Sequence, residues 1–229
     1  MRLSVNGAAS FFCTFVAMDS LQHQGRRRQL IAALAQQYPF HPKVLEAMER
    51  VPRHLFIERG LDHLAYLDKP LPIGANQTIS QPFTVAMQSH LLAVNKWDRV
   101  LEIGTGCGYQ TAVLLEMGLR VFSIERHKSL YLSAQQLLQS LGYSSVHLHY
   151  GDGFKGLPQF APFKGILVSC GAPQIPEALQ AQLAVGGHMV VPLGVTEQTM
   201  TVITRNDETD FSQQSHGNYS FVPMLEGVQ

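Results

Sequence analysis

The stretch from Val100 to Met117 constrains this chain more than any other part of it. Val100-Leu101-Glu102-Ile103 has the length and apolar character of a buried strand, and Gly104, Gly106 and Gly108 alternate directly after it. From Tyr109 to about Met117 the pattern is helical. Glycine suits a backbone that turns sharply or lets a ligand approach where a Cβ would stand. A strand running into such a turn and then into a helix is the opening of a parallel α/β unit.

The unit recurs. Val121–Ile124, Val146–Tyr150, Ile166–Val168 and His188–Val191 read as further strands. Helices are expected over about 128–141 and 176–184, the second ended by Gly186-Gly187. Thr199 to Thr204 alternates as a late antiparallel strand. These elements predict an α/β, Rossmann-like fold: a mainly parallel sheet, helices on both faces and one late antiparallel strand. Ligands in such sheets lie beyond the carboxyl ends of the strands. Before this core, residues 25–50 read as two helical stretches separated at Pro39 and Pro42. Residues 60–82 are loop-like, with Pro70, Pro72, Gly74 and Pro82, and a helix follows from Phe83 to about Val94.

Composition narrows the partners. Lys+Arg and Asp+Glu number 17 each, and charged residues make up only 15%. A nucleic-acid partner is not expected, because no basic excess exists to neutralise phosphates. Arg26-Arg27-Arg28 is the one basic run, read as a solvated helix start. No apolar run reaches bilayer-spanning length, so no membrane partner is expected. Cys13, Cys107 and Cys170 are too few and too scattered for a disulfide framework, which points to a cytoplasmic location. Ala8 to Met18 is apolar and follows Arg2, as in a signal segment, but no clean Ala-x-Ala site follows it. Residues 1–20 are therefore read as an N-terminal extension, with Met18 a second plausible start. The remainder, 21–229, is read as a single domain, expected to be a monomer.

The glycine turn is G-x-G-x-G, with Thr105 and Cys107 between the glycines and Glu102 two positions ahead. A dinucleotide fingerprint would need a glycine where Tyr109 stands. The pattern instead resembles motif I of S-adenosylmethionine-dependent methyltransferases, which implies that Glu102, Gly104, Thr105, Gly106 and Gly108 bind that cofactor. Glu125 closes the second strand, where a carboxylate can accept both hydroxyls of a ribose. Asp152, followed by Gly153 after the third strand, can accept from an adenine amino group. Cys107 and Cys170 are read as packing residues. His147 and His149 are read as solvent-facing strand positions rather than metal ligands, and no metal is expected.

The string from Asp68 to Pro82, with Gln77-Thr78-Ile79-Ser80-Gln81-Pro82 at its end, closely resembles the signature loop of the protein-L-isoaspartate O-methyltransferases. Val51-Pro52-Arg53-His54-Leu55-Phe56, Gly171-Ala172-Pro173, Pro192-Leu193-Gly194 and Phe221-Val222-Pro223-Met224 match the same family. The resemblance runs from about Arg27 to Gly227. One departure is Asn76, where bacterial members usually carry glycine; Asn tolerates a left-handed conformation better than most residues.

The resemblance implies methyl transfer from S-adenosylmethionine to the free carboxylate of L-isoaspartyl residues in damaged proteins and peptides. The ester then closes to a succinimide that reopens partly to aspartate. A carboxylate is already ionised at neutral pH, so no general base is needed. Ser80 is the expected catalytic residue, holding the carboxylate, with helix N-capping as its alternative role. Thr78 and Ile79 are expected to set the loop against the cofactor. The core from 96 to 205 would bind the cofactor, 25–95 would serve the substrate, and 206–229 would form a C-terminal segment. Two rival readings remain: another acceptor for the same cofactor, or a catalytically silent scaffold.

Overall fold

The computed structural model describes residues 19–229, so the apolar run before Met18 and the question of its processing lie outside the described residues. Seven strands form one sheet in the order β5-β4-β3-β6-β7-β8-β9. They are β3 (Arg99–Ile103), β4 (Arg120–Glu125), β5 (His147–Tyr150), β6 (Phe163–Val168), β7 (Leu183–Leu193), β8 (Gln198–Arg205) and β9 (Phe211–Tyr219). The first five are parallel, and β8 and β9 run antiparallel to their neighbours. The chain moves outward from β3 through β4 to β5, then crosses back to β6 and β7 on the other side. That reversal at β3 and β6 opens a crevice at their carboxyl ends.

Period-2 alternation sorts the strand side chains. Leu101 and Ile103 of β3 pack with Ile166, Val168 and Leu179 on one face. Val100 points the other way, to Leu92 and Leu114. The second face carries α3 (Pro82–Leu91), α4 (Tyr109–Glu116) and, through Leu138, α5 (Lys128–Ser140). Outside them lie α1 (Leu21–Gln37) and α2 (Pro42–Arg50), while α6 (Glu177–Ala181) covers the first face.

The structure corrects the sequence reading in four places. The 60–82 segment contains a hairpin, β1 (Leu71–Gly74) and β2 (Gln77–Ile79), with Leu71 opposite Ile79. Its two-residue loop places Ala75 and Asn76 at φ 49° and 55°, as a type I′ turn requires, so Asn76 does occupy the left-handed region. The expected helix over 176–184 stops at Ala181, and Gly186-Gly187 lie inside β7, where the register against β6 shifts between Phe163 and Gly165. A further strand, β9, extends the sheet with a largely polar sequence. Arg27 is not solvated: it is buried, and its guanidinium donates to both carboxylate oxygens of Asp19 at 3.0 and 2.9 Å and to Tyr66 Oη at 3.0 Å. Burial costs a cation unless it is paired, and this one is.

Candidate active site

The crevice is a cavity of about 850 Å3, counting its open mouth. The glycine turn forms its floor. Gly104, Gly106 and Gly108 all have positive φ, at 94°, 56° and 89°, a path that a Cβ would strain at each step. The sheet holds the turn from the β4 side, because Gly104 and Thr105 N–H groups both donate to Ile124 O, at 2.9 and 3.2 Å. Gly104, Thr105 and Gly106 line the cavity; Gly108 instead packs under the turn, its absent Cβ 3.0 Å from Leu138.

Glu102 takes a different place from the one its motif position suggested. It is fully buried and does not line the cavity. Alternation turns it to the α4 side, where Oε2 accepts from Thr111 Oγ1 at 2.6 Å and Ser123 Oγ at 2.7 Å. Ser123 Oγ lies 2.6 Å from Thr105 Oγ1, so the acid braces the turn from below. Burial pushes its carboxyl up to about 7, against the two hydroxyl hydrogen bonds that favour the ionised form.

Glu125 does face the cavity, at the end of β4. Backbone amides fix its carboxylate: Oε2 accepts from Gly106 N–H and Oε1 from His127 N–H, each at 2.8 Å. Gly153 also lines the cavity, but Asp152 does not. The Asp152 carboxylate accepts from Phe154 N–H at 3.0 Å and from Gly227 N–H at 3.0 Å, so it ties a short 3-10 turn to the C-terminal segment.

The other wall is the β1–β2 hairpin, which contributes Thr78, Ile79 and Ser80. Arg53 anchors it. This guanidinium is fully buried and donates to Ala65 O and Ser80 O at 2.9 Å each, with its carbon 4.8 Å from the centre of the Tyr109 ring. Burial lowers its pKa, opposed by the neighbouring Tyr109 and Cys107. The Ser80 hydroxyl makes no cap. Gln81 occupies the cap position of α3 without a side-chain bond, and Asp68 Oδ1 accepts from Phe83 N–H at 2.8 Å. Asp68 thus takes over the capping task that sequence reasoning offered to Ser80.

Several cavity residues escaped the sequence reading. Val222 to Leu225 close one side, held by Gly171 N–H to Val222 O and Met224 N–H to Gly171 O, each 2.8 Å. Gln110 donates through Nε2 to Ser89 Oγ at 2.9 Å and leaves Oε1 without a partner among the described residues. Cys107 and Cys170 also line the cavity, and burial pushes their thiols up to about 11 and about 12, so they stay protonated. Away from it, the exposed His147 stacks on Phe122 with centroids 4.6 Å apart, and the half-buried His149 lies against Phe160. Asp19, His23 and His54 bring potential ligand atoms within 4.8 Å of one another, but Arg27 occupies both Asp19 oxygens.

The profile of the protein-L-isoaspartate(D-aspartate) O-methyltransferase family matches residues 25–229. The chain belongs to that family. A Flavobacterium psychrophilum protein named protein-L-isoaspartate O-methyltransferase is 51% identical over 208 residues, covering 91% of this chain and 98% of the relative. A Pseudomonas fluorescens protein of the same name is 47% identical over 205 residues, covering 89% and 97%. Among solved structures, a protein-L-isoaspartate O-methyltransferase superposes with TM-score 0.79 at 26% identity, over 88% of this chain and 67% of that one. A Plasmodium falciparum structure described as a protein-L-isoaspartate O-methyltransferase in complex with S-adenosyl-L-homocysteine shares the fold, with TM-score 0.77 at 22% identity, over 87% and 98%. Among the described residues, no helix is long and apolar enough to cross a membrane.

Proposed function

We propose that this chain transfers a methyl group from S-adenosylmethionine to the free carboxylate of L-isoaspartyl residues in proteins and peptides. Family membership gives the reaction class, and the observation that carries it to this site is the meeting of two walls in one cavity. The glycine turn and Glu125 form one wall, and the Ser80 hairpin forms the other.

The residues fit the cofactor. Glu125, aimed by two backbone amides, offers a carboxylate to a ribose, and the Cβ-free turn allows close approach. Gly153 lines the cavity at the end where an adenine would lie, packed so close to Ile103 that no side chain fits there. Asp152 serves that end by fixing the 3-10 turn rather than by facing the ligand. When bound, S-adenosylmethionine supplies a methyl carried on a sulfonium, an electrophile needing no further activation. The acceptor carboxylate would be ionised already at neutral pH, so none of the residues lining the cavity would have to act as a general base. The protein's part is to hold the oxygen in line and exclude water. Ser80 lines the cavity with a hydroxyl not used for capping and would donate to the carboxylate, with Thr78 and Ile79 beside it in the same wall.

Residues 96–205 serve the cofactor and 25–95 serve the acceptor. Free thiols at Cys107 and Cys170 support a reducing, cytoplasmic setting. The test is incubation with methyl-labelled S-adenosylmethionine and two peptides differing only in isoaspartate against aspartate. Base-labile label on the isoaspartyl peptide alone is expected. Label on neither, with cofactor still bound, would overturn the reading in favour of another acceptor or a silent scaffold.

A further inference from the structure

A second cavity lies against the outer side of the hairpin, between α3 and the segment after β9, with Phe83, Glu197, His216 and Tyr219 in its walls. It shares only four residues with the cofactor-side cavity: Thr78, Ser80, Ser169 and Val222. These four frame the passage between the two spaces. Three of them carry hydroxyls. Thr78 and Ser80 come from the hairpin, whereas Ser169 comes from the core, one residue beyond β6 and directly across the switch point from the glycine turn. Its backbone is fixed, because Ser169 N–H donates to Ile103 O at 2.9 Å, and its Cβ lies 3.6 Å from where a Cβ on Gly104 would stand. Its hydroxyl oxygen is buried and has no partner among the described residues. A buried hydroxyl without a partner is uncommon, and a site that binds a polar ligand is one place where it is satisfied only on binding.

We propose that Ser169 is a second substrate-orienting residue, its Oγ donating to the acceptor carboxylate from the core side while Ser80 donates from the hairpin side. The proposal rests on the isoaspartyl methyl-transfer reading above. A carboxylate has two oxygens with room for several donors. Two hydroxyls on opposite rims define its plane, which a single hydroxyl does not. Donation weakens the attacking oxygen slightly, so the gain lies in binding and alignment, and the loss should fall mainly on KM for the peptide.

The experiment compares Ser169→Ala, Ser169→Cys and Ser169→Thr on an isoaspartyl peptide, with S-adenosylhomocysteine affinity measured by calorimetry on each folded variant. Losing one hydrogen bond to a charged group lowers kcat/KM about ten- to a hundredfold in Ser169→Ala. Ser169→Cys, which fills the same space with a weak donor, stays low, and Ser169→Thr recovers to within about threefold of the native chain. S-adenosylhomocysteine affinity stays within about twofold throughout. The role is overturned if Ser169→Ala keeps native kcat/KM, if Cys restores activity as well as Thr does, or if cofactor affinity falls in step with activity. A native chain that leaves the isoaspartyl peptide unmethylated overturns the methyl-transfer reading itself, and the role of Ser169 with it.

Discussion

The two walls of the cavity are built by opposite means. The glycine turn is an extension of the parallel sheet: strand β3 aims it, Ile124 O holds it, and the buried Glu102–Ser123–Thr105 chain braces it from beneath. The hairpin has only two short strands of its own and is tied at its ends by two side chains, Arg53, reaching the carbonyls of Ala65 and Ser80, and Asp68, accepting from Gln81 Nε2 and Phe83 N–H. The difference teaches how labour is divided. On the function proposed above, a cofactor of constant shape would meet the wall fixed by many neighbours. An acceptor embedded in many different proteins would meet the wall attached at few points, where Asp68 caps α3 and the Ser80 hydroxyl does not.

Arg53 is the fully buried tie of the hairpin, so its removal should have the largest effect. Arg53→Met leaves two buried carbonyls without donors, at about 1–3 kcal/mol each, and should lower Tm by on the order of 10 °C. A shift under about 2 °C in calorimetric melting would mean the hairpin is held otherwise. The brace under the turn is tested by pH. Glu102 has its pKa raised from 4.5 to about 7 by burial, so the folded chain binds this proton more tightly than the unfolded chain does. Its contribution to stability is therefore full below about pH 4.5 and is lost as pH rises through about 7. Glu102→Gln should be closer to native stability, or above it, at about pH 8 than at about pH 5. Parallel pH profiles of the two proteins would remove the assignment. Smallest is the hairpin turn, where Ala75 sits at φ 49°. Ala75→Gly should raise Tm by about 1–3 °C by relieving left-handed strain, and a fall would show that the turn gains more from a stiffer unfolded chain.

The same contrast explains what could be read from sequence. The core was legible because buried parallel strands are apolar runs and its turn needs glycines, so Gly104, Gly106 and Glu125 stood out. The hairpin was not, because Pro70 and Pro72 mask strand character and its left-handed positions are Ala75 and Asn76 instead of Asn-Gly. Strand β9 was missed because an edge strand reading Ser-Gln-Gln-Ser-His has no apolar alternation. Glu102 was misread although alternation carried the signal: Leu101 and Ile103 share one face, so Glu102 had to lie on the other, under α4. Nothing in the sequence marks Arg53 as an anchor, since an arginine before a short turn ordinarily reads as solvated. Nothing local marked Val222 to Leu225 as a cavity wall, because their place depends on backbone pairing with Gly171, about fifty residues away.

The division of labour is tested most directly by pairing two variants in one measurement, S-adenosylhomocysteine titration alongside turnover on an isoaspartyl peptide. Glu125→Ala should weaken the ligand by about a hundredfold, through the loss of charged hydrogen bonds. Ser80→Ala should leave affinity within about twofold while methyl transfer falls at least about tenfold. If Ser80→Ala instead loses affinity in step with turnover, the hairpin serves the cofactor as much as the acceptor, and the two walls are not separate in function.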